Sequence, residues 1–196
     1  MEKPSLNIVR AADITAHAQE FSHPWNPQSL MRGTQLARSV GLKRTGVNFM
    51  RVPAGRESYV YHSHRYEEEW MYILSGSGIA LVDGGEFPIG PGDFIGFPTP
   101  SVAHLLRNTG KDDLVYLAGG EHREFEVAEF PKLGKRMVRM GEQVDIYDVD
   151  DAKTFGALCR YFADIGHALA NLGLEVQLNM SELNRRVFGN GTCRAH

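Results

Sequence analysis

The segment Gly55–Gly76, GRESYVYHSHRYEEEWMYILSG, sets His62 and His64 two residues apart, Glu69 five residues after His64, and a glycine seven residues beyond that. Residues i and i+2 of a β-strand share a face. Both imidazoles can therefore reach one point in space without unusual backbone. A short turn brings Glu69, at the head of the apolar run Trp70 to Leu74, beside them. A fourth donor, His104, sits downstream in a second strand-like run, GDFIGFPTPSVAHLLRN, residues 92–108. Three imidazoles and one carboxylate with no thiolate suit one divalent metal (Fe, Mn, Ni, Cu or Zn) inside a β protein. Four protein ligands on an octahedral ion would leave two positions for substrate or dioxygen.

Outward from this stretch the chain is punctuated by Gly and Pro, with short β-prone runs between. They are Thr34 to Val40, Val47 to Val52, Ser58 to His64, Glu69 to Leu74, Gly78 to Val82, Asp93 to Phe97, Val102 to Asn108 and Leu114 to Leu117. Asp83-Gly84-Gly85 and Asn108-Thr109-Gly110 have turn chemistry. Short strands at this spacing predict an all-β sandwich or barrel, and no helix-period segment interrupts them to suggest βαβ units. The expected organisation is an N-terminal arm over 1–30, a barrel with a wrapping segment over 31–150, and a C-terminal helical tail over 151–196. In the arm, Asp13 is expected to cap a short helix ending near Glu20, broken by the turn His23-Pro24-Trp25-Asn26-Pro27. The stretch after Gly119-Gly120 is polar and is expected to wrap the barrel irregularly. In the tail, Phe155, Leu158, Phe162, Ile165, Leu169 and Leu172 recur at helical steps, giving a stripe to be buried on the barrel or in a dimer.

Composition narrows the partners. With 196 residues, 42% hydrophobic and a formal net charge of -3, the chain has a core to bury and no basic surplus for nucleic acid or anionic lipid. The N-terminal residues hold no apolar run of signal-peptide or membrane-span length. Two distant cysteines, Cys159 and Cys193, imply no disulfide framework. A cytoplasmic protein acting on a small molecule, with neither nucleic acid nor membrane as partner, is the expectation.

The motifs resemble those of the cupins. The first cupin motif is glycine, five residues, His-x-His, three or four residues, Glu, six residues, glycine; Gly55, His62, His64, Glu69 and Gly76 follow it with one extra residue in the leading spacer. Glu67 and Glu68 also lie nearby, but Glu69 keeps the spacing to Gly76, with Glu68 as the alternative. The second motif is met by Gly92, Pro98, His104 and Asn108, with Pro100 where glycine is usual and one extra residue before the histidine. His-Pro-Trp at 23–25, Gly46-Val47-Asn48 and the run from Gly92 to Pro98 look like single-domain bacterial cupins of the sugar-phosphate-isomerase-like type. The resemblance covers roughly residues 20 to 150. It implies a double-stranded β-helix (jelly-roll) barrel, here with a C-terminal helical extension, and a homodimer. It also implies His62, His64, Glu69 and His104 as metal ligands.

Strand alternation suggests what shares the cavity. With His62 and His64 inward, Val60 turns in and Tyr59 and Tyr61 turn out; with Glu69 inward, so are Met71 and Ile73; with His104 come Val102, Leu106 and Asn108. A substrate pocket of Met71, Ile73, Leu106 and Asn108 is largely apolar, with Arg51 a possible anion contact or an outward surface charge. Glu67 or Glu68 could serve as a base if the turn folds inward, but solvated side chains are the expectation. Three classes of function fit: a metal-dependent dioxygenase or isomerase on a small oxygenated metabolite, a small-molecule-binding or sensing module, and a metal-binding scaffold.

Overall fold

The computed structural model describes residues 7–152. The predicted tail helix and both cysteines lie outside the described residues. In chain order the strands are β1 (Gln19–Phe21), β2 (Met31–Gln35), β3 (Thr45–Val52), β4 (Ser63–His64), β5 (Glu69–Ser75), β6 (Gly78–Val82), β7 (Gly85–Ile89), β8 (Phe94–Phe97), β9 (His104–Arg107), β10 (Leu114–Glu121), β11 (Phe125–Phe130), β12 (Lys135–Met140) and β13 (Gln143–Asp148). Two short helices, α1 (Ala11–Ala16) and α2 (Leu36–Ser39), flank β2 in the chain.

The strands form three antiparallel sheets of a jelly-roll barrel. The six-stranded sheet has the order β1-β2-β3-β10-β5-β8, the four-stranded one β13-β12-β11-β4, and the three-stranded one β7-β6-β9. Period-two patterning explains the faces. In β5, Met71 and Ile73 are buried, whereas Tyr72 and Leu74 are exposed. The inward residues join Met31, Val52, Leu106, Leu114 and Tyr116 in one core, and a smaller cluster joins Val60, Ala128 and Phe130. Asp83 (φ 49°) and Gly84 (φ 78°) turn β6 into β7, the left-handed pair that suits the twist of a two-residue hairpin.

Four expectations need correction. Thr34 to Val40 is not one strand: β2 stops at Gln35 and α2 follows, because Leu36-Ala37-Arg38 is a helix-favouring run with Ala37 buried. Ser58 to His64 is mostly irregular, tied to its neighbours by isolated bridges Glu57↔Arg107 and His62↔His104, with only β4 in a sheet. The helix in the arm runs from Ala11 to Ala16 with Arg10 as N-cap, so Asp13 lies in its first turn and Glu20 falls in β1 instead of at the helix end. The polar stretch after Gly120 is not an irregular wrap. It is the meander β11-β12-β13, with Gly134 and Gly141 (both φ 60°) in its turns. Charges fall on both faces of those strands, as with Glu126 and Glu129 in β11 and Lys135 and Arg136 in β12, so no period-two contrast marks them in the sequence.

Gly119-Gly120 is likewise no boundary. Both lie inside β10, where a Cβ on Gly119 would stand 2.2 Å from the Trp70 ring and one on Gly120 2.5 Å from the Glu68 carbonyl. Close approach of β5 to β10 demands glycine there, and this contact seats Glu69. Among the described residues no helix is long and apolar enough to cross a membrane.

Denaturant melts test the core. Ile73→Ala is expected to cost about 2–5 kcal/mol. The exposed Leu42→Ala should stay within about 0.5 kcal/mol. Gly76 has φ 81°, and a Cβ there would lie 2.4 Å from the Asp113 carbonyl, so Gly76→Ala should fail as a mild substitution. Its expected cost is about 1–3 kcal/mol.

Candidate metal centre

Each sheet contributes to one cluster. Glu69 opens β5 in the six-stranded sheet, His64 ends β4 in the four-stranded sheet, and His104 opens β9 in the three-stranded sheet. His62 precedes β4 and pairs with His104: the His104 N–H donates to the His62 carbonyl at 2.8 Å and the His62 N–H to the His104 carbonyl at 3.3 Å. Ser101 holds the His64 main chain from both sides, donating its N–H to the carbonyl and accepting the His64 N–H at Oγ, each at 2.7 Å. One donor atom from each of His62, His64, Glu69 and His104 lies within 4.8 Å of all the others.

The ring orientations are specific. His62 Nδ1 is 2.7 Å from the Val60 carbonyl and His104 Nδ1 is 3.1 Å from the Val102 carbonyl. A carbonyl only accepts, so both Nδ1 atoms carry protons, and Nε2 is the inward-facing nitrogen of each ring. His64 Nδ1 faces the Glu126 carboxylate at 3.5 Å, while its Nε2 lies 3.6 Å from Glu69 Oε2. His104 Nε2 is 2.8 Å from the same oxygen. Thus two imidazole nitrogens converge on one carboxylate oxygen, an arrangement that requires protons or a cation between them.

Electrostatics agree with the cation. Burial, reinforced by the neighbouring His104 and His64 and opposed by Glu69, pulls His62 down to about 3, so it is neutral at pH 7. Burial would push the Glu69 carboxyl up, but the His104 hydrogen bond and the three histidines outweigh it and hold it at about 2. Burial also lowers His64, yet the carboxylates of Glu126 and Glu69 raise it overall. Three imidazoles, two of them anchored through Nδ1 on main-chain carbonyls, grouped around an ionised carboxylate, are a donor set that fits a divalent ion.

Aromatic rings pack the imidazoles. Phe97 stacks on His104 at 3.7 Å between centroids, and Tyr59 and Phe130 flank His62 at 5.1 and 6.3 Å. Tyr59 was expected to point outward. It is instead half-buried, because Phe21 and His23 of the arm pack over it and its ring meets His62. Burial and then the Glu69 charge raise both the Tyr59 and Tyr116 phenols, which therefore stay protonated at neutral pH. Neither tyrosine stood out in the sequence.

The expected pocket residues are placed as follows. Met71, Ile73 and Leu106 belong to the main core. Asn108 is fully buried and spends its amide on structure: Nδ2 donates to the carbonyls of Val52 and Asp112, and Oδ1 accepts the Gly110 N–H. Arg51 lies on the opposite face of β3 from Met50 and Val52, with its guanidinium over the Phe49 ring. A shallow apolar depression of about 250 Å³, lined from α1, α2, β3 and their flanking loops, contains none of these residues.

A second acidic group lies behind His64. Glu67 and Glu126 each place an oxygen within 4.8 Å of a His64 nitrogen. Glu67, expected to be solvated, is buried: the Arg139 guanidinium and the Arg123 N–H both donate to its Oε1. Glu68 stays exposed. Glu126 is wholly buried and accepts the main-chain N–H groups of Arg65 and Tyr66. These carboxylates are already satisfied by the protein. Arg139→Met should strand Glu67 and, as for other broken buried pairs, cost about 3–5 kcal/mol in a denaturant melt.

Comparison with known proteins follows the same motifs. A family model described as a cupin domain matches residues 48–119. A candidate sugar phosphate isomerase from Acidithiobacillus ferrooxidans is 32% identical and superposes with a TM-score of 0.73, over 76% of this chain and 97% of that one. A cupin-superfamily sugar phosphate isomerase from Silicibacter pomeroyi, at 23% identity and a TM-score of 0.59 over 64% of this chain and 81% of that one, shares the fold. The oxalate-binding protein of Thermotoga maritima is 39% identical over 69 residues, which are 35% of this chain and 55% of that protein. The chain thus spans little more than half the length of this curated relative.

Proposed function

This chain belongs to the cupin family, and we propose that it is a divalent-metal-dependent enzyme of the isomerase type acting on a small oxygenated metabolite. The observation that carries the reading is the orientation of the histidines. His62 and His104 turn Nδ1 to a main-chain carbonyl, His64 turns its Nδ1 to the side of Glu126, and the Nε2 atoms of His64 and His104 turn toward the Glu69 carboxylate. His62, His64, Glu69 and His104 would hold the ion, which when bound would polarise a carbonyl or hydroxyl oxygen of the substrate.

The remaining chemistry belongs to the chain. Phe97, Tyr59 and Phe130 shield the imidazoles from water and restrict their rotation. Glu69 supplies the one negative charge among the four donors. The protonated phenol of Tyr59, whose ring packs against His62, is the candidate to donate a hydrogen bond to a substrate oxygen, whereas the Tyr116 hydroxyl lies in the core and donates to Met31 Sδ. The isomerase type is favoured over a dioxygenase by the likeness to the Acidithiobacillus protein over nearly all of that chain's length. A second reading, a module that binds a small chelating acid without turnover, is supported by the likeness to the oxalate-binding protein. A cytoplasmic location and a homodimer belong to the same proposal.

Elemental analysis of untagged, chelator-free protein tests it, alongside His62→Ala and Glu69→Gln. The expected result is about one metal ion per chain, lost in both variants, as follows for a site built from four donors. Zinc or manganese would support the isomerase, whereas iron or copper would shift the reading to oxygen activation. A parent protein that holds no metal even after reloading would overturn it.

A further inference from the structure

The three histidines are not equivalent. His62 and His104 each anchor Nδ1 on the carbonyl two residues earlier in their own chain segment, Val60 and Val102. His64 does not share this arrangement: the carbonyl two residues before it, that of His62, accepts the His104 N–H at 2.8 Å and receives no bond from the His64 ring. Its Nδ1 is buried and meets no acceptor within hydrogen-bond geometry; the Glu126 carboxylate stands at 3.5 Å.

Glu126 comes from β11 and is 0% exposed. Its oxygens are fixed by the two main-chain N–H groups that follow His64: Arg65 donates to Oε1 at 2.9 Å and Tyr66 to Oε2 at 3.2 Å. A carboxylate held by the turn that carries the histidine cannot drift away from it. A small ring movement toward Glu126 would close the contact and leave Nε2 turned toward Glu69.

From this we infer that Glu126 is a positioning residue, a buried carboxylate that locks the tautomer and ring plane of His64. The inference rests on the metal-site reading above. Histidines anchored on a carboxylate donate more strongly than those anchored on a carbonyl, and loss of such a partner typically weakens metal affinity by about 10–100-fold. The irregular segment before β4 and the meander after β10 are thereby joined in one function, since β4 pairs with β11 through His64↔Ala128.

The test uses zinc alone and the full chain. Zinc dissociation constants are measured by chelator competition for the parent, Glu126→Gln, His64→Ala and the double variant. The expected result is a roughly 10–100-fold loss for Glu126→Gln in the parent, as for other removed partners of metal-bound histidines. In the His64→Ala background the same change should do almost nothing. Equal losses in both backgrounds, or none in either, would overturn the positioning role. A parent that fails to bind zinc would instead sink the metal site itself. A second readout needs no variant: proton–nitrogen NMR of the zinc-loaded parent should show three Nδ1–H signals, with that of His64 furthest downfield. Three equivalent signals, or zinc on His64 Nδ1, would equally refute the inference.

Discussion

Burying three imidazoles around a carboxylate is the constraint on which this molecule depends. Each group loses hydration on entering the barrel, and a buried unpaired ion costs several kcal/mol. Here the loss is offset by fixed partners on every side. Carbonyls of Val60 and Val102 take the outer nitrogens of two histidines, Glu126 faces the third, and the inner nitrogens of His64 and His104 turn to Glu69. The cluster sits where the three sheets meet, so ligand geometry is inherited from strand register rather than from a flexible loop. That convergence explains why β4 can be two residues long and still matter. Its pairing with β11, and the bridge between His62 and His104, bring the third and fourth donors to Glu69.

The arm closes the same region. His23 is buried, its Nδ1 accepts the Trp25 N–H, and its ring meets Tyr59 edge-on at 4.4 Å. Asn26 ties this turn to the irregular segment by donating to the Tyr59 carbonyl and to Glu57. Trp25 then packs edge-on against Phe130, which in turn stacks beside His62. The His-Pro-Trp turn is therefore part of the wall around the imidazoles. Behind His64, the buried Glu67 pairs with the Arg139 guanidinium and accepts the main-chain N–H of Arg123.

What could be seen in the sequence follows from the range of the interactions. The spacing His62-x-His64, the offset to Glu69 and the glycine at Gly76 are local signals, and so are the β5 alternation and the Asp83-Gly84 hairpin. The structure gathers those four donors and builds those elements. Glu126 was not legible, because nothing local separates it from Glu124 or Glu129; only the pairing of β11 with β4 selects it. The burial of Tyr59 was not legible because Phe21 and His23, which cover it, come from the distant N-terminal arm. The meander β11 to β13 was missed because its strands carry charge on both faces, which removes the contrast that marks a half-buried strand. Gly119 and Gly120 looked like punctuation but serve the approach of Trp70 and Glu69.

Anomalous diffraction from a crystal of the metal-loaded protein tests the central claim most directly. The account predicts one strong peak per chain, bonded to Nε2 of His62, His64 and His104 and to a carboxylate oxygen of Glu69. A peak among His64, Glu67 and Glu126, coordination through Nδ1, or no peak at the four donors would contradict it.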